Sequence, residues 1–249
     1  MESYTFFIIT NWIGITELGN NDTETFLNSL QFLNTEDRLD ILINNAGLAL
    51  FGEQEKALTE DGNELTLQSN HLGHFLLTNL LMDKMEEIPG SRIVNVSSIA
   101  HMERNWSAPR QRYLDIDDLN FDSNEYDGAA AYGCSKLANI LFTKELAKRL
   151  KNTTTSVLHP GVITTDVWRN LPIFVKIFGA IMWPIRKIFM KTCWEGAQTT
   201  IFCAVDESLD GVTGKYYADC QEAKFLNPQA GDEDLAKKLW EKSAEIVQI

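Results

Sequence analysis

Short apolar runs alternating with helix-length amphipathic stretches constrain this chain more than any other feature. Residues 5–10 (TFFIIT), 39–44 (LDILIN), 92–97 (RIVNVS) and 156–159 (SVLH) are rich in β-formers and short enough for buried strands. Between and after them, residues 23–33 carry Phe26, Leu27, Leu30 and Leu33 at helical spacing. Further helices are predicted over about 60–84, 130–151, 194–205 and 233–247. Such alternation implies parallel strands, right-handed crossovers and helices on both faces of one sheet. No internal repeat, low-complexity tract or linker divides the chain, so residues 1–249 are expected to form a single α/β domain. In sheets of this kind, ligands bind at the carboxyl ends of the strands. Chemistry is therefore sought just after each strand.

Charge and composition exclude several functions. Lys and Arg number 22 against 35 Asp and Glu, a net charge of −13 over 249 residues. A chain with no basic field cannot displace the counterions of a nucleic acid, so nucleic-acid partners are not expected. A hydrophobic content of 44% is too high for intrinsic disorder. The four cysteines, at 134, 193, 203 and 220, form no C-x-x-C pair, which points to reduced thiols in an intracellular setting. The first residues lack a basic start and a small-residue cleavage site, and no uncharged stretch is long enough for a clean membrane span. The expectation is a cytoplasmic location, or one peripheral to an internal membrane. The apolar segment 171–190 carries Lys176, Arg186 and Lys187 and is broken by Pro184. It suits a cover over an apolar pocket or peripheral contact with a membrane surface.

Residues able to do chemistry follow the predicted strands. Asn44, Asn45, Ala46 and Gly47 close the second run, where small residues let a ligand approach the backbone. Ser98 follows the third. Tyr132 and Lys136 lie four residues apart in a predicted helix and so share a face. An ammonium beside a phenol is expected to favour the phenolate and lower the tyrosine pKa, giving an acid/base group usable near neutrality. His71 and His74 are spaced three apart, but no third ligand accompanies them, so a metal site is not expected. Asp115–Asp118 reads as a solvated acidic loop.

Five stretches occur in order: LDILINNAG, NHLG, RIVNVSS, YGCSK and HPGVITT. Together they closely resemble the short-chain dehydrogenase/reductases. YGCSKLANILFTKELAKRL, with YLDIDDLNF upstream, is most similar to the retinol dehydrogenase branch. The resemblance spans about residues 17–249. It implies a doubly wound, Rossmann-like parallel sheet and hydride exchange between NADP or NAD and a lipophilic alcohol or carbonyl. By that resemblance Tyr132 is the general acid/base, and Lys136 tunes it and binds the nicotinamide ribose. Ser98 polarises the substrate oxygen and Asn70 holds a water relay. Asn44, Ala46 and Gly47 would line the adenosine side of the cofactor. Pro160, Gly161, Val162 and Thr165 would border the nicotinamide, and 171–190 would be the substrate lid.

One stretch departs from the family pattern. A T-G-x-x-x-G-x-G turn is expected after the first strand, where its backbone N–H groups cradle a pyrophosphate. Residues 11–15 here read Asn-Trp-Ile-Gly-Ile, and the interval to Asn44 is too short for the usual elements. The sheet is therefore expected to be incomplete on its N-terminal side, as in a truncated product or a divergent member, and dinucleotide binding weak. The alternative to an NAD(P)-dependent oxidoreductase is a non-catalytic family member acting as an interaction module.

Overall fold

The computed structural model describes residues 6–9 (backbone only), 35–50, 55–102, 113–123, 125–163, 190–225 and 227–249. The expected helix at 23–33, Trp12, Gly14, Thr165 and all of the 171–190 segment but Met190 lie outside them. Six strands form one sheet in chain order: β1 (Phe6–Ile9), β2 (Ile41–Asn44), β3 (Arg92–Val96), β4 (Thr154–His159), β5 (Lys215–Ala218) and β6 (Gln221–Glu222). The first five pair parallel and β6 returns antiparallel to β5.

Successive side chains along these strands enter different cores, as a sheet covered on both faces requires. Leu42, Ile93, Val157 and Tyr216 point to one side. That side is covered by α1 (Gly73–Glu86), α2 (Gly128–Arg149) and α4 (Glu233–Val247) through Phe75, Leu81, Leu137, Phe142, Leu239 and Trp240. Ile41, Ile43, Val94, Val96, Leu158 and Tyr217 point to the other, where α3 (Cys193–Val205) supplies Cys203 and Ala204. Ile41, Leu42, Ile43, Ile93, Val94 and Val96 are all buried, so the apolar residues of β2 and β3 do not alternate with solvent-facing ones.

The element boundaries follow local chemistry. The helix expected from about residue 60 starts only at Leu65, because Gly62 turns the chain with φ +80° and the buried Glu64 caps Leu67 N at 2.6 Å. It runs as Leu65–Leu67, passes through a π-helical stretch, Gln68–Leu72, and continues as α1. Asp127 caps α2 through Ala129 N at 2.9 Å, and a Thr192/Glu195 capping box starts α3. Strand β5 has no counterpart among the sequence expectations. Its four residues sit between Gly214 and a left-handed Asp219, and its pairing with β4 is entirely non-local.

Candidate active site

Ser98, Asn70, Tyr132 and Lys136, from three separate elements, meet at the carboxyl end of β3. Ser98 follows β3 in extended conformation, and its Oγ accepts from Ala100 N at 3.2 Å to start a 3-10 turn, Ile99–His101. Tyr132 and Lys136 sit one turn apart on α2, so both face the strand ends. The Tyr132 and Ser98 side chains hydrogen-bond to one another. Lys136 is buried, and its Nζ donates to Val96 O at 3.1 Å and lies 5.8 Å from the Tyr132 ring centroid.

The electrostatics differ from the sequence expectation. Burial pushes the Tyr132 phenol above its ordinary value, with the Ser98 contact acting in the opposite sense. Burial also pushes Lys136 down, to about 8. A lowered tyrosine pKa is thus not found in this chain. Desolvation is the largest influence on both groups, and the ammonium is directed to a backbone carbonyl.

Asn70 lies in the π-helical stretch, where a local change of register re-aims side chains, a common feature of functional sites. Its Oδ1 accepts from Leu48 N at 2.8 Å and its Nδ2 donates to Leu48 O at 2.9 Å, tying the π-helical stretch to the backbone after β2. Its backbone carbonyl faces His74 Nδ1 at 3.0 Å. Gly47 fits closely against the same group. A Cβ added there would stand 2.9 Å from Asn70 Oδ1 and 3.1 Å from Lys136 Nζ. Only a glycine leaves the space between the β2 end and the ammonium open.

The other expected cofactor contacts are distributed unevenly. The Asn44 side chain is fully buried, with Nδ2 donating to Thr78 Oγ1 (2.9 Å) and Asn95 Oδ1 (2.8 Å). Asn95 in turn donates to Thr143 Oγ1 at 2.9 Å. This polar belt joins α1, β2, β3 and α2, so Asn44 builds the frame rather than facing the open strand ends. Ala46 is buried and Gly47 is exposed beside it. Pro160 and Gly161 follow β4, Gly161 with φ +93°, and Val162 is exposed. Lys191 packs over Gly161 and pairs with Asp219, and its backbone N donates to Val162 O at 2.8 Å. These contacts tie Val162–Ile163 to the start of α3.

Several contributing residues escaped the sequence reading. Ser97 Oγ donates to Lys136 O at 2.7 Å and secures α2 to β3 beside the site. The Tyr126 hydroxyl donates to the buried Glu64 carboxylate at 2.8 Å, joining the entry of α2 to the entry of the helix that bears Asn70. Their only sequence signals were the first hydroxyl of Ser97-Ser98 and a glutamate three residues before Leu67. His71 and His74 are buried, and burial pushes their pKa values down to about 4 and about 3. His71 Nε2 bonds Ser243 Oγ of α4 at 2.8 Å. Among the described residues, no group of three or more His, Cys, Asp or Glu is placed to hold a metal ion.

Residues 22–109 match the family described as short chain dehydrogenase. The chain is 45% identical over 226 residues to human retinol dehydrogenase 14 and 41% identical over 220 residues to bovine retinol dehydrogenase 12. Each alignment covers 88% of this chain but only 62% and 64% of those proteins, so the chain spans less than two thirds of their length. Among solved structures, an uncharacterised protein from Mycobacterium paratuberculosis superposes with a TM-score of 0.63 at 29% identity, covering 88% of this chain and 71% of that one. The ligand-free aldohexose dehydrogenase of Thermoplasma acidophilum shares the fold, with a TM-score of 0.59 at 18% identity over 79% of this chain and 72% of its own. With its five ordered motifs, its doubly wound sheet and these relatives, the chain belongs to the short-chain dehydrogenase/reductase family, in the branch of the retinol dehydrogenases.

Proposed function

We propose that this chain exchanges hydride between a nicotinamide dinucleotide, NADP or NAD, and a lipophilic alcohol or carbonyl of the retinoid class. The observation that carries the reading is the pairing of the Ser98 and Tyr132 hydroxyls beside the buried Lys136, at the strand ends where α/β ligands bind. The residues present suit the nicotinamide half of such a cofactor. Gly47 leaves open the space that a Cβ would fill, Lys136 offers a buried ammonium to ribose hydroxyls, and Gly161 bends the chain end after β4. When bound, the nicotinamide supplies or accepts the hydride.

The chain's own groups handle the proton and the orientation. Ser98 donates a hydrogen bond to the substrate oxygen, and Tyr132 delivers its phenolic proton to that oxygen as the carbonyl is reduced, or removes it in the reverse direction. Burial raises the phenol, so Tyr132 stays in its protonated form at neutral pH, the form that can deliver a proton to a carbonyl oxygen. The apolar, basic segment 171–190 is assigned to substrate access and to peripheral membrane contact, on its composition. Among the described residues no helix is long and apolar enough to cross a membrane.

The test is reduction of all-trans-retinal by the purified chain, followed by NADPH or NADH consumption, beside calorimetric titration of both dinucleotides. Turnover that falls by at least about 10²-fold in Tyr132→Phe is the expected result, since the variant keeps the ring and loses the transferable proton. Undiminished turnover in that variant overturns the assignment. A folded chain that binds neither dinucleotide leaves the non-catalytic interaction role instead.

A further inference from the structure

Ser135 lies between Tyr132 and Lys136 and is fully buried, yet no step assigned above uses it. Its Oγ donates to Tyr132 O at 2.8 Å and accepts from Asn70 Nδ2 at 2.9 Å. The proton directions here are fixed by chemistry. Leu48 N can only donate, so Asn70 must turn its Oδ1 toward it. Asn70 Nδ2 then faces Leu48 O and Ser135 Oγ, and both of its protons are used. The single proton of Ser135 is left for the Tyr132 carbonyl. The chain of bonds therefore has one consistent polarity, from the backbone after β2, through Asn70 and Ser135, to the turn of α2 that bears Tyr132.

Space on the other side of Asn70 is equally restricted. Asn70 Oδ1 and Lys136 Nζ both stand so near Gly47 that no Cβ fits between them and the backbone. A rotated Asn70 amide would release Leu48 and move into the gap that keeps the ammonium accessible.

We propose that Ser135 is a positioning residue: by accepting from Asn70 and donating to Tyr132, it holds the Asn70 amide in the one orientation that keeps the Gly47–Leu48 backbone against Lys136. Its kinetic consequence rests on the function proposed above, whereas its structural consequence does not. The structural arm is hydrogen exchange on the cofactor-free chain, read at the Leu48 amide. Exchange there is expected to rise about 10-fold in Ser135→Ala, to stay near the wild-type rate in Ser135→Thr, and to leave the β3 amides unchanged. Equal Leu48 protection in the wild type and Ser135→Ala overturns the proposal, as does a Thr variant as labile as Ala, because packing rather than the hydroxyl would then be responsible. Should Ser135→Ala not fold, Ser135→Cys keeps the volume, weakens both hydrogen bonds and is read in the same way.

The kinetic arm is a cycle of Ser135→Ala, Asn70→Ala and the double variant. Action through Asn70 predicts that the double variant turns over within about 2-fold of Asn70→Ala alone, whereas multiplied losses refute it. A wild-type chain without turnover whose Leu48 amide still responds to Ser135→Ala would count against the proposed function and leave the positioning role standing.

Discussion

Helices α2 and α3 lie on opposite faces of the same sheet and are built on opposite terms. Sixteen of the 22 residues of α2 are buried, including the polar Ser135, Lys136, Asn139 and Thr143. It is packed between the sheet, α1 and α4, and its polar groups bond to β3, to the π-helical stretch Gln68–Leu72 or within the helix. Only four of the 13 residues of α3 are buried, and Trp194, at 73% exposure, shares an outward stripe with Ile201 and Val205. The proposed acid/base pair, Tyr132 and Lys136, lies on the helix that cannot move without disrupting two cores. Proton transfer needs hydroxyls held to a fraction of an ångström, and burial on all sides supplies that rigidity. Helix α3 is held at its end by Cys203 and Ala204 and at its start by Gly196, which lies so close to Ile163 that an added Cβ would stand 2.1 Å from its Cδ1.

That contrast can be tested by mutation. Leu141→Ala, in the fully buried centre of α2, is expected to cost about 2–5 kcal/mol in chemical denaturation. A cost below about 1 kcal/mol would mean that α2 is not the rigid element described here. Acid should act next most strongly, through His71 and His74 in the layer beneath α2 and α4. Their folded pKa values, about 4 and about 3, lie below the ordinary 6.5, so the unfolded chain binds protons that the folded chain refuses. Stability present above pH 6.5 is therefore lost as pH falls toward 4, by about 1.4 kcal/mol per pH unit for each histidine. A denaturation midpoint that stays flat from pH 7 to pH 5 contradicts the buried, neutral state of both rings.

The anchor of α3 should respond more mildly. Gly196→Ala forces Ile163 aside and is expected to cost about 1–3 kcal/mol, with the loss relieved in an Ile163→Ala background. Failure of the second change to restore stability would place the strain elsewhere. Smallest of all, Ile201→Ala on the outward stripe should shift stability by no more than about 0.5 kcal/mol, measured in the same denaturation series. A loss comparable to that of Leu141→Ala would show that the stripe is covered in solution.

Much of the frame was legible in the chain because it depends on local pattern. The runs at 39–44 and 92–97 became β2 and β3, and the segment at 233–247 became α4 with the expected bounds. The four-residue spacing of Tyr132 and Lys136 put both on one helix face, since a 3.6-residue period leaves no other outcome. The motif order likewise pointed to the family before any contact was known. The parallel pairing of β1 to β4 is also what the alternation of strands and helices implies.

What only the tertiary structure decided depends on partners distant in the chain. Asn44 reads as a ligand-facing residue at a strand end, yet Thr78 and Asn95 accept both protons of its Nδ2, because a buried donor left unpaired is costly. The phenol of Tyr132 rises where its neighbour suggested a fall, since desolvation depends on everything that encloses the pair and not on the spacing between them. Four-residue β5 exists only because β4 is there to pair with it. The π-helical turn that aims Asn70 has no local signature in QSNHL. Periodicity thus determined which residues could share a face, and long-range packing decided which hydrogen bonds and which protonation state those residues would have.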